Sequence, residues 1–200
     1  MDMTRRVMTA PQQAASAAPL RAGAGPANRF NHVREFPGSE ARDVVSPNAD
    51  TLYSIAWLDL RAEPLVMSLP DMQGRWLLMQ VLDAWTNVLA SVGTRSSGAR
   101  AQQYLISGPG WNGPVPEGMV HLHSPTPMSW LIGRTSDFPA VHRVQAQYSL
   151  VPLSRWLGGA SPATPEAAAS AVAVPVSGGP AVDLRTPVVT QVAQLGARQF

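Results

Sequence analysis

Several stretches of this 200-residue chain gather polar and titratable side chains closely enough to suggest chemistry. Residues 28–37 carry His32, Arg34 and Glu35 in a segment with little helical or strand periodicity. Residues 42–53 place Asn48, Asp50, Thr51 and Tyr53 around a turn leading into a strand. Their amides and carboxylates can bond nearby backbone N–H groups and shape that turn, or face a ligand at the end of a fold. Asp83, Trp85 and Asn87 lie within five residues between two apolar runs. An acid beside a buried ring can act as a general acid or base, and it can equally accept hydrogen bonds from its own turn. Arg134 ends another apolar run and offers an anion clamp, or an internal ion pair with Asp83 or Asp50. Were Asp50, Asp83, His32 and Arg134 to converge on one pocket, shaped by Tyr53, Asn48 and Trp85, general acid–base hydrolysis would follow. Asp50 and Asp83 at opposite ends of the fold would break that arrangement.

Other signals are incomplete. His121 and His123 point the same way on a predicted strand, as a metal site needs. Further ligands are wanting: Glu117 precedes them and no Glu follows within reach, so no metal and no cofactor is expected. Residues 108–113 spell G-x-G-x-x-G after a predicted strand. A dinucleotide site needs a helix next, and Pro114 and Pro116 stand there instead, which indicates a glycine-rich turn. No Gly-x-Ser-x-Gly elbow occurs, and the order of residues assembles no Ser, His and Asp triad.

Composition excludes whole classes. The chain has no cysteine, and all 15 of its Lys+Arg residues are Arg. Disulfides, thiolate nucleophiles and Cys-ligated metals are therefore impossible, as are Schiff-base and phosphate-loop lysines. The formal net charge of +2 comes from dispersed arginines, with Arg5-Arg6 the only adjacent pair. That is no footprint for nucleic acid. No apolar run approaches the ~18 residues of a membrane span.

The elements that must position these residues are mostly strands. Thin composition marks residues 9–27 and 158–181 as loops or linkers, and residues 28–156 as the candidate folded unit. The boundaries expected are an N-terminal segment at 1–27, a β-domain at 28–157, an Ala/Pro/Gly linker at 158–187 and a helix start at 188–200. Within the β-domain, strands are expected at 51–60, 65–69, 75–82, 86–91, 103–107, 119–123 and 129–134. Residues 51–60 are apolar on both faces, as an interior strand would be. Pro/Gly clusters separate the runs, and the regular spacing argues an all-β sandwich or barrel. A helix with Val141, Val144 and Tyr148 on one face is expected after Asp137, which could cap it, and a second over 188–200.

At these motifs the chain resembles the domain of unknown function 1254 family of bacteria. The matching stretches are NRFNHVREFP, SPNADTLYSIAWLDL, LDAWTNVLASVGTRSSG, GPGWNGPVP, SPTPMSWLIGRT and VQAQYSLVPLSRW, in that order across residues 28–156. The resemblance implies an immunoglobulin-like β-sandwich followed by a jelly-roll-like partner, domain of unknown function 1214. It also implies a chain lacking both flanks, and a periplasmic or cell-envelope location, with the cytoplasm as the alternative. Ser46 stands where similar sequences usually carry Arg before Pro-Asn. The family has no established activity, so no catalytic residue carries over. The function expected is a binding or structural module that packs against the second β-domain or itself, its loops taking a small-molecule ligand. The alternative is a cell-envelope hydrolase or carbohydrate-active enzyme. The ligand-binding candidates are His32, Arg34, Asn48, Asp50, Tyr53, Asp83, Trp85, Asn87 and Arg134.

Overall fold

Alternation of apolar and polar residues over short runs, each ended by Gly, Pro, Asn or Asp, builds two β-sheets. The structure is a computed structural model describing residues 4–5, 8, 24–39, 48–136, 140–158, 186 and 188–194. The strands are β1 (Asn31–His32), β2 (Leu52–Asp59), β3 (Leu65–Leu69), β4 (Leu77–Asp83), β5 (Val88–Gly93), β6 (Gln102–Ser107), β7 (Val120–His123), β8 (Met128–Thr135) and β9 (Ser149–Pro152). The described residues also hold three short helices: α1 (Val141–Gln145), α2 (Leu153–Leu157) and α3 (Val188–Ala193). One sheet has the order β1-β2-β8-β4-β5 and the other β7-β6-β3-β9. All pairs are antiparallel except β6 with β7.

Period-two patterning explains the layering. In β8, Ser129, Leu131, Gly133 and Thr135 are buried while the residues between them are less so. Leu131 meets Ala56, Leu58, Met79 and Val81 of its own sheet, and the same cluster takes Leu65, Met67, Tyr104 and Ile106 from the other. The core therefore lies between two sheets, and the fold is mainly β, as expected. An immunoglobulin-like fold has two antiparallel sheets, so the parallel β6–β7 pair limits that likeness to the stacking of two sheets. β2 is interior, flanked by β1 and β8. On its other face, Trp57 and Trp130 stack across the strands at 5.2 Å. Neither indole N–H has a partner, a cost of about 1–3 kcal/mol each.

All seven expected strands are present, within two residues at each end. Gly93, at the β5 turn, has φ +146°, and a Cβ there would fall 2.1 Å from the Leu77 carbonyl oxygen. No helix follows the glycine-rich residues 108–113, as Pro114 and Pro116 led one to expect. One correction concerns the region after β8. The helix stops at Gln145, because Tyr148 leads straight into β9. A further helix, α2, begins at Leu153 directly after Pro152. The segment containing Ser46, the Asp137 cap, most of the two thin stretches and residues 195–200 lie outside the described residues.

Candidate functional site

The described residues contain two centres where histidine meets serine, one enclosed and one open. The enclosed one begins with β1, whose pairing sets His32 opposite Ser54. His32 Nδ1 lies 2.9 Å from Ser54 Oγ. The Gln145 side chain, fully buried at the end of α1, donates to Ser54 Oγ (3.2 Å), the Tyr53 carbonyl (3.1 Å) and the Val33 carbonyl (3.3 Å). Arg34 donates to the Gln145 side-chain oxygen (3.1 Å) and to the His142 carbonyl (3.0 Å). His142 Nε2 bonds the Arg34 carbonyl at 2.7 Å. Phe30 stacks on the His32 ring, and Tyr148 meets it edge-on. Burial, and then the nearby Arg34 and Arg29 charges, push His32 down to about 4. Tyr148, whose hydroxyl is 2.8 Å from Thr135 Oγ1, is pushed up by burial to about 12. Both groups are thus neutral at physiological pH. With Ser54 fully buried, this network fastens β1 and α1 onto the sheet.

The other sequence-derived residues divide between two ends of the same sheet. Asn48 Oδ1 accepts from the Asp50 and Thr51 backbone N–H groups, and its amide donates to the Thr51 carbonyl at 3.0 Å. This is the turn role open to Asn at that position. Asp50 is exposed beside it. Tyr53 and Arg134 are cross-strand partners, with the guanidinium 5.3 Å from the ring centroid. Asp83 closes β4 at the far end. Its carboxylate accepts from the Asn87 side chain (2.9 Å) and from the Asn87 (2.9 Å) and Trp85 (2.8 Å) backbone N–H groups. Those bonds, the Asn87 side chain first, hold its carboxyl below the usual carboxylate range against the opposing effect of burial. β2 and β4 run parallel on either side of β8. The seven residues of β4, at about 3.3 Å each, therefore put roughly 20 Å between Asp50 and Asp83. The convergent acid pair required for the hydrolase arrangement does not form. Arg134 lies at the Asp50 end, far from Asp83.

The open centre joins residues that the sequence leaves apart. β6 pairs in parallel with β7, so Ser107 lies opposite His123 and Leu105 opposite His121. Ser107 Oγ is 2.8 Å from His121 Nε2 and 3.3 Å from His123 Nδ1. The serine is buried and both histidines are exposed. Trp111, from the glycine-rich loop, meets the His121 ring edge-on at 5.3 Å. The i, i+2 histidine spacing was visible in the sequence; Ser107 required the pairing. Among the described residues no three His, Cys, Asp or Glu side chains cluster as a metal site would have them. No described helix is long and apolar enough to cross a membrane.

Comparison with known proteins gives a family and a fold. Residues 27–152 match the family model described as "Protein of unknown function (DUF1254)", and the chain belongs to that family. No curated protein matches it. The VPA0106 protein from Vibrio parahaemolyticus has a similar crystal structure, at 25% identity and a TM-score of 0.57 over 70% of this chain and 33% of that one. A crystal structure of an uncharacterized protein from Burkholderia cenocepacia is more distant, at 15% identity and a TM-score of 0.39 over 64% of this chain and 36% of that one. The chain thus spans about a third of the length of these solved proteins.

Proposed function

We propose that this member of the family is a binding module whose exposed edge, where β5 and β7 come together, packs against a second β-domain or another copy of itself. The observation that carries the reading is Trp85, 77% exposed at the tip of the β4–β5 turn. An aromatic ring of that size costs free energy in water and is a frequent anchor of interfaces. The turn that displays it is braced by Asp83, and its next residue, Thr86, sits at φ +71°. A β-branched residue there is strained, and such strain tends to collect at functional positions. Val88 (53% exposed) on β5 and Val120 (55%) on β7 extend the apolar character along edge strands of both sheets. An open edge offers backbone groups to a partner as well. A small-molecule ligand at the Asn48, Asp50, Tyr53 and Arg134 end is a secondary part of the same reading.

The test is association of this chain with itself, and with a separately produced second β-domain, by analytical ultracentrifugation. A complex is expected, and Trp85→Ala weakens it by about thirtyfold, the size of an interface hot spot. A chain that stays monomeric and unbound, or a complex indifferent to Trp85→Ala and Val88→Ser, overturns the reading.

A further inference from the structure

We propose that Ser107, His121 and His123 form a surface site for a divalent first-row transition-metal ion, with copper(II) the tightest binder. Three features of the fold converge on it. Strand alternation turns Leu122 toward the core while its neighbours His121 and His123 face outward together. The parallel β6–β7 pairing then brings Ser107 beneath them. Finally, each imidazole directs one nitrogen at the same atom: His121 Nε2 and His123 Nδ1 lie 2.8 Å and 3.3 Å from Ser107 Oγ.

These separations are those of neighbouring donors on one ion. Ligands bound at about 2.0–2.1 Å around a four-coordinate metal sit roughly 3 Å apart. A hydroxyl also has a single proton. It can donate to one imidazole, and the other must turn its own N–H inward. When an ion enters between the three atoms, that imidazole carries its proton on its other ring nitrogen instead, so lone pairs from both rings and from the oxygen face the ion, and water completes its shell. Two imidazoles and a neutral oxygen, with no thiolate anywhere in the chain, favour copper(II) over zinc and over hard ions such as magnesium. Exposure of both histidines leaves the site open to a solvated ion, and Trp111 walls one side of His121.

The test is titration of the intact chain with copper(II) near neutral pH, read by calorimetry and electron paramagnetic resonance. One ion with hyperfine coupling to two imidazole nitrogens is expected. His121→Ala and His123→Ala should each weaken binding by about tenfold or more. Ser107→Ala should weaken it by up to about tenfold, and His142→Ala should leave it unchanged. Both strand histidines are exposed, so unchanged melting curves will certify that their variants are folded. Absence of binding overturns the proposal. So does copper(II) bound equally well by the His121→Ala/His123→Ala double variant, which would locate the ion at His32, His142 or the backbone. Labelling of Ser107 by a fluorophosphonate in metal-free protein, without metal binding, would replace this site with a nucleophile and its base.

Discussion

His32 and His121 make almost the same bond, to Ser54 at 2.9 Å and to Ser107 at 2.8 Å. In both pairs the serine is fully buried. What differs is the other side of the ring. Phe30 and Tyr148 pack on the His32 ring, the Arg34 and Arg29 charges lie near it, and Gln145 donates to Ser54 as well. His121 has water, a tryptophan edge and a second histidine. Enclosure makes the first pair a fastening, with its imidazole held neutral. Exposure leaves the second pair able to exchange its hydrogen bonds for a ligand. A histidine–serine distance alone therefore says little about role; the solvent on the far side of the imidazole decides it.

The sharpest way to break this contrast is through Gln145. Gln145→Ala takes a donor from the Val33 carbonyl, one of two from the Tyr53 carbonyl, which keeps the Val33 N–H, and empties the space of a fully buried side chain. It should destabilise the fold by about 4 kcal/mol in chemical denaturation, since each such loss costs about 1–3 kcal/mol. A cost under ~1 kcal/mol would mean that the network does not fasten α1.

Next in size is the pH response of His32. Its folded value of about 4 lies below the ordinary 6.5, so the unfolded chain binds the proton more readily. Stability from this group is complete above pH 6.5 and is lost as pH falls toward 4. The total is on the order of 3 kcal/mol. Thermal unfolding between those pH values should show the slope, and His32→Gln should flatten it.

Tyr148→Phe removes a smaller share. It deprives the buried Thr135 hydroxyl of its 2.8 Å partner and should cost about 1 kcal/mol. The smallest effect is expected at the open centre. His121→Ala should change stability by no more than ~0.5 kcal/mol, as exposed substitutions do. A large loss there would make the two histidine–serine pairs alike and end the comparison.

How much of this could be read in the sequence depended on the range of the signal. Strands such as 52–59 and 128–135 announce themselves through alternation over eight residues. β1, with two residues, is too short to show a period; β9 begins right after Tyr148, which the spacing from Val141 and Val144 assigned to a helix. Asn48 and Asp83 were legible as turn formers because their partners lie within four residues. The same sequence offered Asp83 as a general acid, a role that separation from Asp50 by the length of β4 removes from that pairing. Gln145 carried no signal at all: its partners are 91 to 112 residues away.

The sequence by itself determined the chemistry available. With no cysteine or lysine, only carboxylates, imidazoles, guanidinium groups and hydroxyls remain to act. It also determined the β character, since period-two hydrophobicity is a local property of the chain. Tertiary structure alone decided which polar groups meet and which are shut from water. Those outcomes depend on strand register and on burial by residues distant in sequence, and neither is encoded within any one segment.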